Sequence, residues 1–127
     1  MHRSRLCTAL IDCEGSAFEK GIAFWGRALG MRVKRRRDQR YVSLVGELGG
    51  EGGLNIVLQH VPKGERGVHL DIETDDVEAE VARLEKIGAR RKANVRSWVV
   101  MEAPSGHAFC VVPVQRKDFP AGASEWK

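Results

Sequence analysis

The stretches Leu29-Gly30-Met31-Arg32 and Ile87-Gly88-Ala89-Arg90 decide the fold, because each closes an amphipathic helical pattern on a glycine and opens a basic strand. Their glycines stand about 58 residues apart, a spacing that marks a repeated structural unit. Upstream of the first, Leu6–Asp12 reads as a strand, and Ser16-Ala17-Phe18-Glu19 offers a capping box for a helix start. Phe18, Ile22, Trp25 and Leu29 then form one apolar stripe, and Gly30 supplies the left-handed residue that ends it. Upstream of the second, Val68-His69-Leu70-Asp71-Ile72-Glu73 alternates with period two. That alternation puts Val68, Leu70 and Ile72 under a helix and gathers His69, Asp71 and Glu73 on the opposite face. Asp75 and Glu78 form a second capping-box-like pair, Val77, Val81 and Leu84 mark the stripe, and Gly88 stops the helix. Two such units predict a symmetric shell around a shared cleft.

The remaining segments complete each unit. Met31–Arg37 and Arg40–Gly46 read as a hairpin around Asp38-Gln39, and Leu54–His60 as a half-buried strand with Leu54, Ile56 and Leu58 on one face and Asn55, Val57 and Gln59 on the other. Between them, the glycine-rich run Glu47–Gly53 reads as a flexible loop placed to gate the cleft. Val61–Gly67 links the halves. Ser97–Glu102 and Ala108–Val114 are strands joined by the turn Ala103-Pro104-Ser105-Gly106-His107. The tail Arg116–Lys127 is expected to be irregular, with Phe119 and Trp126 docking on a partner subunit or fraying.

Composition narrows the class. A chain of 127 residues, 43% hydrophobic and 30% charged, suits one compact domain with a real core and argues against disorder. Apolar runs are interrupted well short of a membrane span, and Met1-His2-Arg3-Ser4-Arg5 lacks the apolar run of a secretory signal, so a cytoplasmic protein is expected, with no membrane partner. Three cysteines, Cys7, Cys13 and Cys110, have no CxxC spacing and read as reduced thiols. The net charge of +4 is modest, and the basic residues lack interleaved aromatics, so nucleic acid is not the expected partner.

Three motifs together resemble the glyoxalase/bleomycin-resistance, or vicinal oxygen chelate, superfamily, and within it the glyoxalase-like domains. They are Phe24-Trp25-Gly26-Arg27-Ala28-Leu29-Gly30, His69-Leu70-Asp71-Ile72-Glu73-Thr74-Asp75-Asp76-Val77, and Ala103-Pro104-Ser105-Gly106-His107-Ala108-Phe109-Cys110. The resemblance implies an α+β fold of two tandem βαβββ modules, about residues 1–60 and 68–115, forming a cup-shaped mixed sheet with helices outside. It also implies frequent dimerisation, so a homodimer is expected. Metal-using members carry His, Glu or Gln on the first and last strands of each module, and by motif position those slots fall at Cys7, Gln59, His69 and Cys110. Replacing the last-strand carboxylate with Cys110 should weaken a site for hard divalent ions, so no cofactor is expected. Two thiolates, an imidazole and an amide oxygen leave zinc as a minor alternative.

Gln59, His69, Asp71 and Cys110 are therefore the expected ligand-binding residues, and His69 the candidate catalytic group, with Asp71 or Glu73 setting its tautomer. A hydrogen-bonded strand histidine is an equally weighted reading of His69, and packing the favoured one for Cys110 and Cys7. Trp25 reads as core, and Trp98 and Tyr41 as a possible aromatic cleft wall. The run Arg32, Lys34, Arg35, Arg36, Arg37 and Arg40 reads first as a solvated hairpin and second as an anion clamp. The function expected is binding of a small organic molecule, either by a lyase or isomerase with weak or no metal dependence, or by an antibiotic- or metabolite-sequestering protein.

Overall fold

A computed structural model describes residues 1–46 and 54–127. The expected gating loop, 47–53, lies outside the described residues. Strands β1 (His2–Glu14), β2 (Arg32–Arg35), β3 (Tyr41–Val45) and β4 (Asn55–Val61) accompany helix α1 (Ala17–Leu29). The sequence then repeats the plan with β5 (Gly67–Thr74), α2 (Val77–Lys86), β6 (Arg90–Val95), β7 (Trp98–Glu102) and β8 (Ala108–Pro113), and adds β9 (Ser124–Trp126). Among the described residues the fold is α+β with mixed strand pairing and two helices, as expected.

Contacts divide the chain into two units. The first comprises residues 8–46 and 54–69 of those described, and the second comprises residues 1–7 and 70–127, so the opening residues group with the C-terminal half. In the first unit the strand order is β2-β3-β4-β1, with β1 and β4 parallel and the other pairs antiparallel. In the second it is β6-β7-β8-β5, again with only the last and first strands of the module, β8 and β5, parallel. The duplication read from the two glycines is thus a duplication of topology.

The first unit's core packs Phe18 and Ile22 of α1 onto Cys13, Val42, Leu44 and Leu58, with Trp25 partly buried beside them. α1 lies close to the sheet because Gly21 has no side chain: a Cβ there would stand 3.0 Å from Cys13 Sγ and 3.4 Å from Leu58 Cδ2. Gly30 ends α1 at φ 65°, the left-handed conformation that favours glycine, and passes hydrogen bonds back to Arg27 and Gly26. The second unit mirrors this core, with Val81, Leu84, Ala89, Val99, Met101 and Val111 clustered.

Local departures from expectation have local causes. Ser16 adopts helical φ/ψ and makes no side-chain cap, because Glu19, its expected capping-box partner, is held by Arg35 through two hydrogen bonds of 3.0 and 2.8 Å. In α2 the cap is Asp76, whose carboxylate accepts from Ala79 N at 3.0 Å; Asp75 instead accepts from Arg3 N, and Glu78 pairs with Arg91. Val68 and Leu70 are 66% and 43% exposed rather than covered by a helix. α2 is only ten residues long, and of the three apolar residues on that face of β5 it is Ile72 that packs against the second core. The tail is not frayed: β9 pairs antiparallel with His2–Ser4, Trp126 donates to Ser4 Oγ at 2.9 Å, and Arg83 lies 3.8 Å over its ring.

Candidate functional site

Strand register builds a polar row across the first unit. Tyr41 pairs with Gln59 on β3·β4, and Gln59 pairs with Asp12 on β4·β1, so the three side chains stand side by side on one sheet face. The opposite face carries Leu58, Cys13 and Val42 into the core under α1. Gln59 Nε2 donates to Tyr41 Oη at 3.3 Å, which fixes the amide and leaves its carbonyl oxygen as an acceptor-capable end.

His69 joins this row through Asp12. Its Nδ1 lies 2.6 Å from Asp12 Oδ2, and the two side chains retain 20% and 10% exposure. A carboxylate accepts, so the imidazole donates from Nδ1 and presents Nε2 as its second nitrogen. Asp12 Oδ1 is buried without a hydrogen-bond partner. The pair is short and half-shielded, a geometry in which a carboxylate orients an imidazole. Asp12 also adds to burial in pushing the Cys13 thiol upward, so that thiol is a packing group and not a nucleophile.

Glu73, one of the two expected partners of His69, does not play the part that Asp12 plays. Glu73 is fully buried in the second unit, where Oε1 accepts from Arg5 Nε at 2.6 Å and Oε2 accepts from the amides of Gln115 and Arg116 at 2.6 and 3.0 Å. Burial alone would raise its pKa; the two amides and the Arg5 guanidinium outweigh that and hold it below the ordinary carboxylate range. Arg5 also bonds Asp118 Oδ1 at 2.7 Å and the Ala121 carbonyl, so this cluster fastens the tail. Sequence reading missed both Asp12 and Arg5 because their partners lie 57 and 68 residues away.

Asp71 follows His69 by two residues on β5 and shares its face, and Asp71 is the register partner of Cys110 on β8. Cys7 is fully buried and Cys110 half-buried, and no described cysteine is in a disulfide. Within the second unit, Asp71 and Cys110 set a carboxylate beside a thiol, a donor pair suited to a borderline ion such as zinc and less so to magnesium, which prefers oxygen donors.

Of the six cations in the basic run, Arg35 pairs with Glu19 and Arg40 with Asp38, and in the second unit Arg90 pairs with Glu102 and Arg91 with Glu78. Among the described residues no helix is long and apolar enough to cross a membrane.

Solved structures share this fold. A glyoxalase/bleomycin resistance protein/dioxygenase superfamily member from Vibrio splendidus 12B01 superposes with a TM-score of 0.55 at 20% identity, over 87% of this chain and 99% of that one. Methylmalonyl-CoA epimerase from Mycobacterium tuberculosis gives 0.52 at 18%, covering 88% and 89%. The 2,2',3-trihydroxybiphenyl 1,2-dioxygenase from Sphingomonas wittichii strain RW1 gives 0.60 at 16%, covering 93% of this chain and 42% of the dioxygenase. No curated protein sequence matches the chain. At these identities the structures speak for the fold alone, whereas a family model for the glyoxalase-like domain matches residues 8–112, most of the sequence and both helix ends from which the repeat was read; the chain belongs to the glyoxalase-like domain family.

Proposed function

We propose that the protein binds a small organic molecule on the sheet face that carries Tyr41, Gln59 and His69, and that His69 moves a proton next to a carbonyl of that molecule, as a lyase or isomerase would. The observation that carries this reading is the 2.6 Å contact from His69 Nδ1 to Asp12, which orients the imidazole. In this reading Gln59 and Tyr41 hold the substrate's oxygen. The reaction needs a metal weakly or not at all. A homodimer belongs to the same reading, supported by the exposed Leu6 and Leu70 of the second unit, and light scattering tests it.

The test is a thermal-shift screen of carbonyl compounds and divalent metals, followed by turnover assays on whatever binds. Removing a positioned acid–base group costs about 10²–10⁴-fold, so His69→Ala should lose that much kcat while keeping the wild-type melting temperature. Unchanged turnover in that variant would remove His69 from the mechanism. Binding without turnover in the wild type would instead favour a sequestering protein, and a large shift with zinc would make the metal part of the reaction.

A further inference from the structure

Register sorts the basic run of the first unit between the two faces of its sheet. Val42 and Leu44 of β3 enter the core under α1, so Tyr41, Ser43 and Val45 stand on the other face, the one that carries Gln59. Lys34 is the register partner of Ser43 and Arg32 that of Val45, so both cations share this face at the β2 edge. Arg36 joins them from just beyond the end of β2: its Nε donates to Ser43 Oγ at 2.7 Å, which lays the guanidinium toward β3. Arg35 alternates to the α1 side, where Glu19 of the helix takes it.

The second unit repeats these positions and neutralises them. Arg90 and Lys92 stand 58 residues after Arg32 and Lys34. Both pair with Glu102, the register partner of Arg90, Lys92 doing so at 3.4 Å. In the first unit the residue that opposes Arg32 is Val45, which carries no charge. Arg32, Lys34 and Arg36 form no ion pair with a carboxylate among the described residues; Asp38 of the hairpin is engaged by Arg40, and Asp12, the acid on this face, by His69. The same edge is a closed charge pair in one unit and an open cationic strip in the other. Around Ser43 the strip has the parts of an anion cradle. The terminal nitrogens of Arg36 form a fork, Lys34 supplies a mobile ammonium, and the serine oxygen, accepting from Nε, keeps its own proton to donate.

We infer that the molecule bound beside Gln59 is an anionic carbonyl compound, with its carboxylate or phosphate held by Lys34, Ser43 and Arg36. This rests on the proposed function, which puts the carbonyl oxygen at Gln59 and Tyr41. Ser43 lies two residues from Tyr41, the register partner of Gln59, so Ser43 and Gln59 are diagonal neighbours on one face, about 7–8 Å apart. The anion and the carbonyl must span a comparable distance. An α-oxoacid, whose two groups are joined directly, is too short to fill both places, whereas a carbonyl separated from its anion by several carbons fits.

6-Oxoheptanoate is the probe, followed at low salt by backbone and side-chain amide chemical shifts of the full chain. Its methyl ester removes the charge, acetate removes the carbonyl, pyruvate removes the spacer, and 5-oxohexyl phosphate exchanges carboxylate for phosphate. The acid should shift the amides of residues 34–43 together with the Gln59 side-chain amide, and bind about tenfold or more tighter than its ester, acetate or pyruvate. Tighter binding of either the acid or the phosphate supports the cradle and names its anion. Lys34→Gln with Arg36→Gln replaces exposed side chains and should weaken the acid about tenfold while the ester keeps its affinity. Acid and ester binding equally, with Gln59 shifted and 34–43 unmoved, would overturn the inference and leave the proposed function standing. Shifts at 34–43 with Gln59 unmoved would overturn it through the proposed function on which it rests. Acetate binding as tightly as the acid would reduce the strip to a solvated basic edge. The wild-type comparison of probes decides the matter even if the double variant misfolds.

Discussion

The two units share one topology and seal their polar groups to different extents. In the second, Glu73 and Glu80 are fully buried and each carboxylate is surrounded by donors: Glu73 by Arg5 and two amides, Glu80 by His2 at 2.7 Å and by Arg83 at 2.5 and 3.1 Å. Burial would raise the Glu80 pKa, but the bonds from Arg83 and His2 hold it below the ordinary range. In the first unit the corresponding investment is a single pair, His69 with Asp12, still partly open to solvent and with one carboxylate oxygen unbonded. A sealed, saturated network fixes a shape, whereas the half-open pair lies where solvent still reaches it.

The contrast can be broken most forcefully at Glu73. Glu73→Ala strands the Arg5 guanidinium without its main partner, and uncompensated buried charges of this kind cost about 3–5 kcal/mol of stability, to be read by urea unfolding. Replacing both, Arg5→Met with Glu73→Leu, should restore most of that loss, since a buried pair is often no better than an apolar one. A loss below about 1 kcal/mol for Glu73→Ala would place the pair with ordinary surface bridges and erase the distinction between the units.

Acid should act on the second unit through the same groups. Both carboxylates have folded-state pKa values below the unfolded value of about 4.3, so their contribution to stability is complete above that pH and fades as pH falls through the lower folded values. Unfolding free energy measured from pH 6 downward should therefore drop on the acid side, and Glu73→Gln should flatten that limb. An unchanged acid limb in the variant would deny the network its role.

A smaller effect is expected in the first unit, where Asp12→Asn weakens a charge-assisted bond of about 1.5–3 kcal/mol. If the pair is chemical, the change should appear as a tenfold to hundredfold loss of turnover with little change in melting temperature; if structural, as lost stability alone. The least disruptive change is Trp126→Ala, which removes the ring beneath Arg83 and the bond to Ser4 and should cost about 1 kcal/mol by thermal unfolding.

Fold and site were legible to different depths. The Gly30 and Gly88 helix ends, the apolar stripes and the alternation of β5 are local signals, and they carried the tandem plan through to strand order. Tertiary competition explains what failed. Ser16 satisfied the capping pattern, yet Arg35 claimed Glu19; Val68 and Leu70 had the right period, yet both stand exposed. Glu73 looked like a neighbour for His69, but which buried cation meets a strand carboxylate depends on Arg5, whose place in the second unit no periodicity reveals. Asp12 sits at the end of the apolar run Leu10-Ile11, where one acidic residue reads as a strand boundary. Only the register Asp12↔Gln59↔Tyr41 turns it into part of a row.

The central claim is that Asp12 holds His69 as the Nδ1–H tautomer. A two-bond nitrogen–proton spectrum of the imidazoles in the free protein tests it directly. The account predicts one His69 signal set of the Nδ1–H form in the neutral ring, collapsing to the Nε2–H-dominated mixture of a free histidine in Asp12→Ala. A wild-type His69 already showing that mixture, unchanged by the substitution, would contradict it.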